Sequence, residues 1–127
     1  MERSTSCIVG WAVSATCDEA DWQAVLDAAP QAALYYSDGS PTYLALLYHP
    51  GLHIALPDKS QTYRVEGDNA ELRHYLARLA RKSRCFSRSL PALKRAVKCF
   101  VYLWNARQLH RARFPKYPFH LIDFLYP

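Results

Sequence analysis

Residues 65–84 carry the pattern that most constrains how this chain can fold, because acids at one end are followed by a dense run of cations. Apolar residues recur there at offsets of three and four, which predicts a helix with one apolar face. These residues are Leu72, Tyr75, Leu76 and Leu79. Glu66 and Asp68 fall in the predicted first turn, where the helix dipole favours anions. Taken alone, the pattern is typical of a capped, amphipathic surface helix.

Charge is distributed very unevenly along the 127 residues. Residues 1–71 carry three Lys/Arg against ten Asp/Glu, whereas residues 72–127 carry thirteen against Asp123 alone. The net charge of +5 therefore conceals a strongly basic C-terminal part. Such a charge field predicts a polyanionic partner, with nucleic acid favoured over an anionic membrane surface. No run approaches the roughly 18 apolar residues that would cross a membrane.

Asp38 follows a short apolar run, at a position where ligands often bind. Residues 32–36 are apolar and aromatic, which predicts a buried strand that delivers Asp38 to a turn. In open α/β sheets, ligands and catalytic groups gather at the carboxyl ends of the strands. An Asp-Gly pair also makes such a turn without any further role. The residues alone leave both interpretations of Asp38 open.

The other segments complete an α/β pattern. An apolar, β-branched run predicts a strand over residues 7–13. Apolar periodicity predicts a helix over residues 21–29, which either Asp18 or Asp21 could cap and which Pro30 ends. A short helix over residues 41–47 and a strand or extended segment over residues 52–56 are predicted next. The chain is long enough for one small domain with a core of its own.

A second long helix is predicted near the C-terminus. Ser89 is placed to cap it, and an early Pro91 removes no hydrogen bond that the first turn needs. The helix is expected to run to about Gln108 with a broad apolar face and three cations on the remaining face. Those cations are Lys94, Arg95 and Lys98. Prolines interrupt the segment that follows, so we expect an irregular tail over residues 109–127.

Histidines and cysteines form no metal-binding motif. His49 and His53 are four residues apart, but Pro50-Gly51 between them forbids a regular helix, so both are interpreted as loop or packing residues. The four cysteines contain no C-x-x-C pair, and no signal peptide precedes them. They are Cys7, Cys17, Cys85 and Cys99. We interpret them as reduced, mostly packed thiols of a cytosolic protein.

Residues 65–89 read VEGDNAELRHYLARLARKSRCFSRS, with an acid, then an Asn, a Leu-Arg-His step, a Leu-Ala-Arg step and a Ser-x-Ser. This string resembles the Glu-containing C-terminal signature of bacterial insertion-sequence transposases of the "insertion sequence one" family. The resemblance extends upstream through the YYSDG of residues 35–39, which looks like the second catalytic aspartate of that family. Downstream it extends through FVYLWN at residues 100–105 and FPKYP at residues 114–118.

The resemblance implies an α/β chain holding a partial RNase H-like domain of the Asp-Asp-Glu type, followed by a basic helical C-terminal region. In that class, three carboxylates hold two Mg²⁺ or Mn²⁺ ions that catalyse phosphodiester cleavage and strand transfer. Asp38 and Glu66 would be the catalytic and metal-binding acids, supplying hard oxygen ligands. Seven polar and cationic residues would contact DNA. These are Asn69, Arg73, His74, Arg78, Arg81, Lys82 and Arg84.

The first catalytic aspartate of the family has no counterpart in this sequence. It would lie on a strand upstream of the one that residues 7–13 resemble, and the acids after that segment do not match it. We therefore expect a truncated transposase, poorly stable alone and inactive unless an N-terminal piece is supplied. The expected organisation is a strand-and-helix part over residues 1–64, the Glu66 helix and basic helix over residues 65–108, and the tail. The strand over residues 33–36 would be open along one edge.

The expected partners are double-stranded DNA, as insertion-sequence ends and target, and other transposase chains, with no membrane involved. The expected location is the bacterial cytoplasm, in association with the nucleoid. A second hypothesis is a noncatalytic, basic DNA-binding remnant or a regulator of an intact transposase. A third, a membrane-surface protein, would require a preference for anionic vesicles over duplex DNA.

Overall fold

The computed structural model describes residues 1–16, 18–56, 63–76 and 89–116, and within the third range it describes the side chains of residue 67 and residues 69–76 only. The chain mixes helices with a small parallel sheet, so the predicted α/β character is confirmed. In chain order, the elements are α1 (Glu19–Ala28), β1 (Leu34–Ser37), α2 (Pro41–Leu44), β2 (Leu52–Ala55), α3 (Tyr63–Tyr75) and α4 (Leu90–Arg113). They divide between two compact units, residues 10–75 and residues 1–9 with 76–127.

Helix α1 forms where capping and periodicity predicted it. Asp18 is the N-cap, and its side chain accepts a hydrogen bond from the Asp21 backbone N–H at 3.0 Å. The side-chain amide of Gln23 makes two hydrogen bonds to the loop after α2, donating one and accepting the other. Its Nε2 donates to the Leu47 carbonyl at 3.1 Å, and its Oε1 accepts from the Leu47 N–H at 2.9 Å. Helix α1 thereby holds the connection between the two strands.

Strands β1 and β2 pair in parallel, with Leu34 opposite Leu52 and Ser37 opposite Ala55. Both strands were predicted, and α2 lies in the crossover that parallel pairing requires. The two strands are the whole sheet within the described residues. Leu34 is 46% exposed and Leu52 is 68% exposed. The amino ends of both strands are therefore poorly covered by the described part of the chain.

Residues 7–13 do not form the predicted strand. The backbone of Ile8 is instead satisfied by a side-chain amide of α4: the Ile8 N–H donates to Asn105 Oδ1 at 2.7 Å, and Asn105 Nδ2 donates to the Ile8 carbonyl at 2.9 Å. A β-strand needs a neighbouring backbone to complete its hydrogen bonds, and among the described residues no strand lies beside this segment. The predicted strand is therefore wrong, and within the run Cys7 is buried while Val9 is 39% exposed.

Helix α3 covers part of the single helix predicted over residues 65–84, and residues 77–84 lie outside the described residues. It begins at Tyr63, ends at Tyr75, and leaves Leu76 non-helical. The helix ends where the chain passes from one compact unit to the other. Tertiary packing supplies most helix stability, so periodicity alone does not fix the residue at which a helix ends.

Helix α4 forms the core of its unit. Ser89 caps it as predicted, accepting a hydrogen bond from the Ala92 N–H at 3.4 Å, and the helix runs to Arg113 rather than ending at Gln108. Six of its residues are buried: Val97, Phe100, Val101, Leu103, Trp104 and Gln108. Of the two cysteines described, Cys7 is buried and Cys99 is exposed, so the expectation of packed thiols holds for Cys7 and is wrong for Cys99.

Gly51→Ala is expected to destabilise the unit of residues 10–75 by about 1–3 kcal/mol, the usual cost of overpacking. A Cβ at Gly51 would collide with the Ala32 carbonyl oxygen and the ring of Tyr35, and a backbone oxygen cannot move aside cheaply. Gly67→Ala is the matched control, because a Cβ there meets nothing within 4 Å. In mid-helix it should stabilise by about 0.5–1 kcal/mol. Urea unfolding measures the free energy of unfolding of both variants. Changes of the same sign in the two variants would contradict the prediction.

Candidate active site

Asp38 directly follows β1, at the carboxyl end of the parallel pair. The side chain is exposed, and Oδ1 accepts a hydrogen bond from the Ser40 backbone N–H at 3.1 Å. Gly39 has a φ of +77°, a conformation that glycine adopts without strain, so the Asp-Gly pair does make the predicted turn. Within the described residues, Oδ2 has no hydrogen-bond partner. A carboxylate held by one oxygen and open at the other suits a hard divalent cation.

The Ser37 side chain links this turn to the neighbouring strand β2 through hydrogen bonds. Its buried hydroxyl lies 2.8 Å from His53 Nε2 on β2 and accepts a hydrogen bond from the Gly39 N–H at 3.3 Å. His53 in turn stacks on Tyr48, with ring centroids 4.2 Å apart and planes 11° apart. Burial raises the pKa of Tyr48, with a smaller contribution from Tyr43, and its hydroxyl donates to the Tyr43 carbonyl at 2.9 Å. The backbone on both sides of Asp38 is therefore fixed.

Sequence reasoning placed His53 among loop or packing residues and did not find its contact with Ser37. Parallel pairing with Tyr35 opposite His53 places Tyr35, Ser37 and His53 on one face of the sheet. The strand register could have revealed the pair, because it places Ser37 and His53 diagonally on neighbouring strands although they are 16 positions apart in sequence.

Ser37→Ala is expected to lower the free energy of unfolding by about 1–3 kcal/mol, because His53 Nε2 and the Gly39 N–H lose their shared partner. Ser40→Ala in the same turn is the control, since the Ser40 side chain makes no capping hydrogen bond. Its backbone N–H, which holds Asp38, is retained. Denaturant unfolding measures the stability of both variants. Equal losses of stability would show that the Ser37 hydroxyl does not specifically stabilise this turn.

Glu66 is the fourth residue of α3 and belongs, like Asp38, to the unit of residues 10–75. Its side chain lies outside the described part, so a meeting of the two carboxylates stays a prediction. In helical register, Glu66, Asn69 and Arg73 are at offsets of three and seven, which puts their backbone positions on one side of α3. The predicted acid and two predicted DNA-binding residues thus share a helix side.

Three of the predicted DNA-binding residues, Asn69, Arg73 and His74, are exposed on α3. The ring of His74 meets that of Tyr75 edge-on, with centroids 5.5 Å apart. The other four, Arg78, Arg81, Lys82 and Arg84, lie outside the described residues. Where the chain is described, no three His, Cys, Asp or Glu residues group as a metal site, and no helix is long and apolar enough to cross a membrane.

Comparison with known families decides the broader identity. Residues 2–105 match the family model of the IS1 transposase. The chain belongs to the IS1 transposase family. This confirms the resemblance inferred from residues 35–39 and 65–89, and it associates the chain with the enzymes of DNA transposition. No curated protein and no solved structure matches the chain.

Membership of the IS1 transposase family gives the exposed carboxylate of Asp38 a chemical context. Transposases of the Asp-Asp-Glu type act on DNA and in general use divalent metal ions. An open carboxylate oxygen at the end of a parallel strand is the kind of ligand such ions prefer.

Proposed function

We propose that this chain is part of the catalytic domain of a metal-dependent DDE transposase with an RNase H-like fold. Asp38 and Glu66 are two of the three carboxylates, and they bind Mg²⁺ or Mn²⁺ at the end of β1. The observation that carries this proposal is the exposed, fixed Asp38 after a parallel strand, in a chain of the IS1 transposase family. The resident ions would polarise the scissile phosphate and activate the attacking water or 3′-hydroxyl.

Within this function, the chain's own residues bind and orient DNA. Arg73 and His74 on α3 would contact phosphates beside Glu66, and Asn69 lies one turn from Glu66 on the same helix side. Arg78, Arg81, Lys82 and Arg84 would extend these contacts. The partners are insertion-sequence ends, target DNA and further transposase chains, in the bacterial cytoplasm at the nucleoid.

Two assigned acids do not complete a two-metal site, so the third comes from upstream sequence or from an intact transposase. The poorly covered amino ends of β1 and β2 support this, because further strands would bury Leu34 and Leu52. Residues 1–64, 65–108 and 109–127 would then be the end of the sheet, the Glu66 and basic helices, and the tail of a larger domain.

Metal removal tests the proposal. A form extended by the upstream sequence is expected to nick and join insertion-sequence end DNA with Mg²⁺, and a chelator should abolish cleavage while most DNA binding remains. The 127-residue chain alone is expected to bind without cutting. DNA cleavage by this chain alone would contradict the proposal that the third carboxylate comes from elsewhere. An extended form that binds but never cuts would support a noncatalytic DNA-binding remnant or regulator instead.

A further inference from the structure

Helix α4 has one face that packs inside its own unit and another that faces outward. The six buried residues named above lie on the first face. The second face carries exposed residues that fall, at 100° per residue, within an arc of about 100°. These residues, called here the α4 stripe, are Lys94, Arg95, Lys98, Tyr102, Leu109 and Arg113.

The α4 stripe is purely cationic in charge, since no acidic residue occurs in Leu90–Arg113. Lys94 and Lys98 lie one turn apart, about 6 Å along the axis, and Arg113 lies about 28 Å from Lys94 at 1.5 Å per residue. Another cation of the same helix is engaged differently: the Arg107 guanidinium lies 5.9 Å from the centroid of the Trp104 ring. The stripe thus has three cations close together at its amino end and a fourth about 28 Å away, a span somewhat shorter than one turn of duplex DNA, about 34 Å.

We propose that the α4 stripe binds the phosphate backbone of duplex DNA. Lys and Arg side chains neutralise phosphates, and the exposed Tyr102 hydroxyl between them is a further phosphate donor. The inference takes its ligand from the proposed function and adds a second DNA surface, on the unit that does not contain Asp38 or Glu66. Because the contacts go to phosphates, this surface positions DNA without reading its sequence.

The composition of the stripe favours duplex DNA over two other polyanions. A membrane-surface helix would bury large apolar residues in lipid, yet those of α4 are mostly packed inside the protein, and the exposed ones are Leu90, Tyr102 and Leu109. Single-stranded DNA would need a series of stacking aromatics, and the stripe carries one. A cluster of three cations with a fourth further along the same helix side suits the phosphates of a duplex better than either.

The test compares two double variants with the same charge change in the same unit. Lys94→Gln/Lys98→Gln removes two cations of the stripe, and Arg111→Gln/Lys116→Gln removes two exposed cations away from it. Binding to a duplex of arbitrary sequence is measured as a function of salt. Each lost phosphate contact lowers the slope of log K against log [salt] by about 0.9, so the stripe variant should lose about 2 in slope and bind roughly 60-fold more weakly near 0.1 M salt. The control should keep a slope within about 0.5 of the parent.

Equal slope losses in both variants, or no duplex binding by the parent chain at low salt, would overturn the inference. So would binding to anionic phosphatidylserine vesicles, or to a single DNA strand of equal length, that is tighter than binding to the duplex. Circular dichroism checks that the helix remains, and an additional Arg113→Gln change should lower the slope by about one more unit. Failure here is separable from failure of the proposed function. A stripe variant that binds normally while Asp38→Asn abolishes cleavage refutes only the stripe, and the converse refutes only the proposed catalytic role.

Discussion

Asp38→Asn, made in a form extended by the upstream sequence, is expected to slow DNA cleavage by about 10²-fold or more while DNA affinity is retained. Losing one carboxylate removes several kcal/mol of transition-state stabilisation by the metal, and each 1.4 kcal/mol is about tenfold in rate. Asparagine still presents an oxygen to the Ser40 N–H, the bond that Asp38 Oδ1 accepts at 3.1 Å. The turn is therefore preserved, and the loss reports on the charge. Glu66→Gln should have the same consequence.

Matched substitutions separate catalysis from simple charge removal. Asp27→Asn changes an exposed acid of α1 that accepts a hydrogen bond from Gln23 Nε2 at 2.8 Å, and Glu71→Gln changes an exposed acid of α3. Both should cleave at the parent rate. Single-turnover cleavage and filter binding measure the two properties separately. Cleavage that persists in Asp38→Asn, or falls equally in Asp27→Asn, would remove Asp38 from the catalytic assignment.

Trp104→Ala is expected to lower the free energy of unfolding by about 3–5 kcal/mol, a large share of the roughly 5–15 kcal/mol available to a small domain. The indole is 1% exposed, its ring lies 5.6 Å from that of Phe100, and its Nε1 donates to the Ser6 carbonyl at 3.0 Å. The substitution thus opens a cavity in the core around α4 and leaves the Ser6 carbonyl unpaired. Urea unfolding followed by circular dichroism measures the loss.

Tyr102→Ala is the control for Trp104, because Tyr102 is on the same helix and 71% exposed. It should change stability by less than about 0.5 kcal/mol. Trp104→Phe keeps an aromatic ring but loses the hydrogen bond to Ser6, so an intermediate effect is expected. If Trp104→Ala and Tyr102→Ala unfold at the same urea concentration, the helix side that carries Trp104 is not the side that packs in the core.

The two proposals assign separate tasks to the Asp38 turn and the α4 stripe, which belong to different compact units. The proposed task of the turn is to present a carboxylate to a metal ion at the end of a strand, and that of the stripe is to hold the DNA backbone without reading its sequence. The uneven charge of the sequence agrees with this division, because the unit with α4 carries most of the cations.

Local signals determined much of the fold. Asp18 and Pro30 bracket α1, Ser89 caps α4, and the Asp-Gly pair after an apolar run makes the turn that carries Asp38. Each of these depends on residues within a few positions of one another, so the sequence is sufficient to predict them. The family resemblance was equally readable, because it rests on the order of residues along the chain.

Contacts between distant residues were decided only by the tertiary structure. The segment of residues 7–13 has a strand-like composition, but its backbone bonds to the Asn105 amide, 97 residues away. Helix α3 ends at Tyr75, the last residue of its compact unit, and Ser37 meets His53 because parallel pairing places them diagonally on one face of the sheet. Periodicity and composition describe a segment's own preference. The groups that complete the backbone hydrogen bonds of a segment, and the residue at which an element ends, depend on how the whole chain packs.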